Sequence, residues 1–121
     1  MGVILCGMAL DMTIDRLDQG SAVVAITGSL TLGLNLKMVE AEVQQLIGGG
    51  VNRLILDLGA CAYSDSAGLG FLIHTYGMIT ERGGTMRLCG VSERVMELLR
   101  MTKTDGIMPC DADRQDSLAK L

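Results

Sequence analysis

The sequence predicts one α/β domain with the element order ββαβαβαβα and a mixed, largely parallel central sheet that carries an antiparallel edge strand. A chain of 121 residues is long enough for a single domain with a hydrophobic core. Short apolar runs alternate along it with stretches of helical period, and this alternation implies crossovers between parallel strands. Only a short turn separates the first two strands, so these two should pair antiparallel.

The amino-terminal part of the chain predicts a hairpin followed by a helix. Residues 11–17 alternate polar and apolar side chains, as a strand with one buried face does, and Asp18-Gln19-Gly20 indicates a turn. Residues 22–27 form an uncharged, β-branched run that is typical of a buried strand. From about Gly33 the period becomes helical. The predicted buried stripe of this helix consists of Leu36, Val39, Val43 and Leu46.

A glycine triplet, Gly48-Gly49-Gly50, follows that helix. Glycine is the usual residue just beyond a helix end. A phosphate-binding loop would instead follow a strand and precede a lysine and a hydroxyl residue. The triplet follows a helix, and no lysine with a hydroxyl residue comes after it. The triplet is therefore interpreted as a helix stop.

The rest of the chain predicts three further strands and three helices. Strands are expected at residues 53–58, 85–89 and 106–109, and helices at 69–80, after Ser92 and at 111–121. Gly83-Gly84 ends the helix at 69–80. Ser92 is a plausible N-cap of the next helix, and acidic residues begin the last one. The buried stripe after Ser92 is expected to consist of Val95, Leu98 and Leu99. Residues 1–10 are apolar without the basic flank of a secretory signal, and they are interpreted as a loose leader.

The helix at 69–80 has two apolar faces. Its packing face is predicted to carry Leu69, Ile73, Tyr76 and Thr80. The opposite face carries Phe71, His74 and Met78, which is less polar than a solvated face usually is. Two explanations remain open: the C-terminal helix covers this face, or a partner protein docks on it.

Composition excludes several classes of function. The net charge is −4 without a Lys/Arg cluster, and the chain has one Phe, two Tyr and no Trp, so no nucleic-acid partner is expected. No apolar run reaches the roughly 20 residues of a membrane span, so direct membrane insertion is not expected.

The cysteines predict a reduced, cytoplasmic protein without a metal or cofactor. Cys6, Cys61, Cys89 and Cys110 form no C-x-x-C pair, and His74 is the single histidine. Cys61 and Cys89 lie in apolar, strand-like contexts and are expected to be buried.

The segment Asp65-Ser66 stands where a strand gives way to a helix, and two interpretations of it remain open. Either residue can be a plain N-cap, because short polar side chains accept hydrogen bonds from the unpaired N–H groups of a first helical turn. Alternatively Ser66 is a phosphoacceptor, since the positive end of the helix dipole favours added negative charge.

The segments that carry a family resemblance span almost the whole chain from Met12 onward. They are Leu54-Ile55-Leu56-Asp57-Leu58, Asp65-Ser66-Ala67-Gly68-Leu69-Gly70, Gly83-Gly84 and Val91-Ser92-Glu93-Arg94-Val95, continued by Leu98-Leu99-Arg100-Met101-Thr102, 105–109 and Asp116-Ser117-Leu118-Ala119. Together they resemble the STAS family (sulfate transporter and anti-sigma factor antagonist), of which residues 1–121 would form one domain. The Asp-Ser-x-Gly-Leu-Gly segment is the most specific piece.

The resemblance to bacterial single-domain members implies a partner-switching regulator, an anti-sigma factor antagonist that is not an enzyme. Its partners would be an anti-sigma factor that is also a serine kinase and a PP2C-type phosphatase, and a homodimer is compatible with the family. Ser66 corresponds to the phosphorylated serine. The residues expected to contact the partner are Thr31, Asp65, Ala67, Gly68, Leu69, Phe71, His74 and Met78.

The chain departs from the family pattern at two places. Many antagonists have Gly-Glu-Leu-Asp where this chain has Gly28-Ser29-Leu30-Thr31. Thr31 thus keeps a polar group but not the charge of an aspartate that helps phosphorylation or partner contact in the family. Lys103-Thr104 replaces a common Gly-Leu.

Functions other than that of an antagonist are also compatible with parts of the sequence. A STAS subunit that docks on the ATPase of a lipid ABC transport complex is the main alternative. A small enzyme lacks support, because one histidine and scattered carboxylates supply no evident base paired with a nucleophile. A stressosome-like scaffold usually requires further domains or paralogues.

Overall fold

The computed structural model describes residues 4–5 and 10–121. In this part of the chain the strands are β1 (Ile4–Leu5), β2 (Leu10–Arg16), β3 (Ser21–Leu30), β4 (Arg53–Ser64), β5 (Thr85–Cys89) and β6 (Cys110–Asp111). The helices are α1 (Leu34–Gly48), α2 (Ser66–Glu81), α3 (Glu93–Met101) and α4 (Arg114–Lys120). The predicted leader thus contains β1. Its remaining residues 1–3 and 6–9, Cys6 included, lie outside the described part.

The strands form one sheet in sequence order, from β1 to β6. The pairs β1–β2 and β2–β3 are antiparallel, and β3–β4, β4–β5 and β5–β6 are parallel. The predicted α/β class with a mixed sheet is confirmed. The antiparallel edge strand is β1. The sequence predicts the strand that is β2 in the structure at this edge.

The central strands are buried on both faces because helices cover them. Leu54, Leu56 and Leu58 of β4 point into the main core, while Ile55 points to the other face and packs with Val23 and Cys89. This is the alternation that a pleated strand imposes. The predicted stripe of α1 is confirmed, and Ile47 extends it.

The predicted burial of Cys61 and Cys89 is also confirmed, at 2% and 0% exposure. Burial raises the pKa of the Cys89 thiol to about 11, so this thiol is protonated at neutral pH.

Two element boundaries differ from the prediction near the C-terminus. The last strand is Cys110–Asp111 rather than 106–109. Pro109 has no N–H and contributes only its carbonyl oxygen, which accepts from the Leu88 amide at 2.8 Å. The final helix begins at Arg114, because Asp113 is its N-cap and accepts from the Asp116 amide at 2.9 Å.

The packing face predicted for α2 is wrong in part. Ile73 is 36% exposed and Thr80 is exposed, whereas Phe71 is only 3% exposed and lies in the main core. Thr75 also faces inward, and its hydroxyl donates to the Phe71 carbonyl at 2.7 Å, which satisfies the buried polar group. The C-terminal helix does not provide the cover, since α4 packs on β4, β5 and β6.

Within residues 10–121, no helix combines the length and the apolar character needed to cross a bilayer.

Candidate functional site

The candidate site lies where β3 and β4 end side by side. Leu30, the last residue of β3, pairs with Ser64, the last residue of β4. Two register shifts between these strands keep them paired to that point, so β4 extends beyond the predicted 53–58. Helix α2 starts directly afterwards at Ser66. The loop after β3 and the first turn of α2 are therefore neighbours at the carboxyl edge of the sheet.

Asp65 is the N-cap of α2 and also joins the two neighbours. Its Oδ1 accepts a hydrogen bond from the Gly68 amide at 3.0 Å, and its Oδ2 accepts one from the Leu32 amide at 2.9 Å. These bonds, that of Leu32 first, lower the pKa of Asp65 below its ordinary value of 3.8. The carboxylate is thus charged at neutral pH and committed to two amides, and the cap role belongs to Asp65 rather than Ser66.

Ser66 is the first residue of α2 and is exposed. Among the residues that the structure describes, none forms a hydrogen bond with its hydroxyl. The start of a helix leaves N–H groups unpaired and carries the positive end of the dipole, so added negative charge is favoured there. Ser66 is therefore an accessible hydroxyl in surroundings that suit a phosphate.

Gly68 lets α2 begin close to β3. A Cβ atom at this position would overlap the Leu30 carbonyl oxygen and the Ser64 hydroxyl. Gly68 and Leu69 are both buried, Leu69 at 7% exposure. The predicted partner contacts by Gly68, Leu69 and Phe71 therefore need correction: these residues pack inside the domain and offer no side chain to a partner.

In the first three turns of α2 the exposed residues are Ser66, Gly70, Ile73 and His74, which follow one another at helical spacing and are called the exposed face of α2 below. His74 is on the surface as predicted. Ala67 and Met78 are half-buried and pack against the core. The prediction that Ile73 belongs to the packing face is wrong: it lies seven residues after Ser66, on the same exposed side of the helix.

Residues 32–34, the end of the connection from β3 and the first residue of α1, add apolar surface to the site and are called the 32–34 loop below. Thr31 is half-buried at its start, and Leu32 and Leu34 are 74% and 73% exposed. Because the Asp65 carboxylate accepts from the Leu32 amide, this loop is fixed next to Asp65 and so lies close to Ser66 in the chain. Sequence reasoning missed both leucines, and their positions on either side of Gly33 at a helix start were the available signal.

Tyr63 and Arg94 form a second feature that sequence reasoning missed. The guanidinium carbon of Arg94 lies 4.9 Å from the centroid of the Tyr63 ring. Tyr63 belongs to β4 and is 39% exposed. The contact therefore brings the first turn of α3 close to the connection between β4 and α2.

Replacing Asp65 with alanine should lower the free energy of unfolding by about 1–2 kcal/mol, because the helix loses its cap and the 32–34 loop loses its anchor. Chemical denaturation measures the loss. Hydrogen exchange of the Leu32 amide should accelerate at the same time. Ser92→Ala is the matched control, since Ser92 caps α3 by accepting from Val95 at 3.2 Å but holds no loop. An unchanged Leu32 exchange rate in Asp65→Ala would contradict the anchor.

Fold and site together define a small α/β domain that presents a serine at a helix start beside an apolar loop. The chain belongs to the STAS domain family, whose model matches residues 13–117.

Relatives and a solved structure agree with this assignment. BtrV of Bordetella bronchiseptica, provisionally named an anti-sigma factor antagonist, is 26% identical over 110 residues, which are 91% of this chain and 93% of that protein. An anti-sigma F factor antagonist of Paenibacillus polymyxa is 33% identical over 69 residues, 57% of this chain and 59% of that protein. The crystal structure of an anti-sigma factor antagonist from Mycobacterium paratuberculosis has a TM-score of 0.80 at 19% identity, covers 96% of this chain and 97% of its own, and shows the shared fold.

Proposed function

We propose that this protein is an anti-sigma factor antagonist that binds an anti-sigma factor with serine kinase activity and is released when Ser66 is phosphorylated. The named relatives are anti-sigma factor antagonists, which favours this function over the lipid transport subunit. A PP2C-type phosphatase would remove the phosphate, and the chain itself would act in the cytoplasm as a regulator rather than an enzyme. A homodimer is compatible with this role.

One observation carries the proposal: the hydroxyl of Ser66 is exposed while its neighbour Asp65 does the structural work of the cap. Ser66 can therefore be modified without removing a hydrogen bond that holds α2 in place. A serine whose side chain capped the helix would lose that cap on phosphorylation.

The proposed reaction transfers the γ-phosphoryl group of ATP to Oγ of Ser66. The bond from this phosphorus to the β,γ-bridging oxygen breaks, the hydroxyl proton leaves and ADP is released. The product carries about −1.5 to −2 additional charge at neutral pH, next to the ionised Asp65. In a complex this charge would have to be desolvated beside a carboxylate, and binding would weaken.

The proposed partner surface combines the exposed face of α2 with the 32–34 loop. Its polar members are Thr31, Asp65, Ser66 and His74, and its apolar members are Leu32, Leu34 and Ile73, with Ala67 and Met78 at the margin. A charge added at Ser66 would enter an interface next to exposed apolar side chains, where desolvating it reduces affinity most.

The test is intact-mass spectrometry after incubation with ATP and the candidate anti-sigma kinases of the source genome. We expect the mass of one phosphate on the wild type and none on Ser66→Ala. In a binding assay without ATP, Ser66→Ala should bind like the wild type, and Ser66→Asp should bind at least about tenfold more weakly, or about 1.4 kcal/mol.

Gln19→Asp is the matched charge control. Gln19 is exposed in the turn between β2 and β3, at the opposite end of the sheet from Ser66. The Gln19→Asp substitution adds the same negative charge as Ser66→Asp and should leave the affinity for the partner unchanged. Phosphate on Ser66→Ala, equal binding of Ser66→Asp and the wild type, or no phosphorylation by any candidate would each overturn the proposal.

A further inference from the structure

We infer that Arg94 receives the phosphate of modified Ser66, so that the phosphoserine is held against the first turn of α3. This inference rests on the proposed phosphorylation and names the residue that would stabilise its product. It starts from the cation–π contact of Arg94 with Tyr63, in which the guanidinium carbon lies over the ring at 4.9 Å from its centroid.

The position of Arg94 is unfavourable for its own helix. It is the second residue of α3, where the positive end of the helix dipole disfavours a cation. Its neighbour Glu93 bonds instead to Arg100, at 3.2 Å. In residues 10–121, no carboxylate forms an ion pair with Arg94. A cation that serves neither its helix nor an ion pair is available to an anion.

The cation lies over Tyr63, which precedes Ser66 by three residues. Tyr63 and Ser66 are separated by three peptide units, which span at most about 11 Å. The side chain of Arg94 is exposed, so its torsions can rotate from the ring towards the start of α2. Within residues 10–121, no acceptor forms a hydrogen bond with the Arg94 guanidinium, so its N–H donors are free for an incoming group.

The chemistry of a phosphate matches the guanidinium of Arg94, which only donates hydrogen bonds. A phosphoserine presents three acceptor oxygens, and the planar guanidinium can donate to two of them at once. A charge-assisted, bidentate pair is stronger than an exposed cation–π contact, so the phosphate should draw Arg94 away from Tyr63. Asp65 directly precedes Ser66, but its carboxylate repels a phosphate and already accepts from two amides.

The experiment is a pH titration of the full chain followed by phosphorus NMR. Phosphoserine is incorporated at position 66 by genetic code expansion, without any kinase. Contact with a guanidinium favours the dianion, so the second pKa of the phosphate should be lower in the Arg94 protein than in Arg94→Gln, by about half a pH unit or more. Arg94→Lys should lie between the two, because it keeps the charge but loses the bidentate geometry.

Arg100→Gln is the control, since Arg100 lies on the same helix and its substitution removes the same charge as Arg94→Gln. Its titration curve should coincide with that of the Arg94 protein. Coincident curves for the Arg94 protein and Arg94→Gln would overturn the inference, and so would equal shifts in Arg94→Gln and Arg100→Gln, which would indicate a diffuse field rather than contact. Because no kinase is used, failure of this test is separate from failure of the proposed function.

Discussion

Replacing Asp111 with asparagine is expected to lower the free energy of unfolding by about 3 kcal/mol or more. The side chain of Asp111 is fully buried, and Arg87 donates to both of its oxygens, from Nε at 2.6 Å and from a terminal nitrogen at 3.0 Å. Ser117 and Lys120 donate to the same carboxylate. The amide would leave the largely buried Arg87 cation without a counter-charge. Denaturant unfolding of both proteins measures the difference.

The effect of Asp111 should depend on pH in a defined direction. The hydrogen bonds from Arg87 hold the pKa of this carboxyl well below its ordinary value of 3.8. A lowered pKa stabilises the fold above the ordinary value, and this contribution is lost as the pH falls below it. The stability difference between the wild type and Asp111→Asn should therefore be constant from neutral pH to about pH 5 and shrink below about pH 4.

Glu93→Gln is the control for this pair. It breaks the ion pair between Glu93 and Arg100, whose side chains are 80% and 54% exposed. Such surface pairs contribute about 0–1 kcal/mol. If Asp111→Asn were no more destabilising than Glu93→Gln, the buried pair would not be a main contributor to the attachment of α4.

Replacing Gly68 with alanine should lower the free energy of unfolding by about 3 kcal/mol, although alanine is the better helix former. The added methyl group would overlap the Leu30 carbonyl oxygen, which belongs to a paired strand and cannot move away without disturbing the sheet. Thermal unfolding should show a melting temperature lower by roughly 10 °C.

Gly70→Ala is the matched control, because it makes the same change two residues further along the same helix. A Cβ atom at Gly70 meets nothing within 4 Å. This variant should be more stable than the wild type by about 0.5–1 kcal/mol, through helix propensity alone. Equal stability of Gly68→Ala and Gly70→Ala would contradict the close approach of α2 to β3.

The elements with strong local signals could be predicted from the sequence. The period of α1, the exact strand Thr85–Cys89 and the Ser92 cap each depend on neighbouring residues. The position of Ser66 at the start of a helix was predictable for the same reason, since an aspartate precedes it and an apolar helix follows.

The remaining features depend on contacts that no local pattern records. Helix α2 has few polar residues to distinguish its outer side, so its period did not reveal that Phe71 packs inward and Ile73 outward. A strand as short as Cys110–Asp111 is too brief to show alternation. The bond between Asp65 and Leu32 joins residues 33 positions apart, and Arg94 meets Tyr63 only because α3 folds back over β4.

The cap formed by Asp65 separates the residue that holds α2 from the residue that would carry the signal. Selection can therefore act on the two positions independently. A threonine or cysteine at position 66 would alter the reactivity of the site while leaving the helix start intact, whereas most replacements at position 65 would disturb it. Related sensors with different triggering chemistry could thus be derived from this scaffold by single substitutions, in nature or by design.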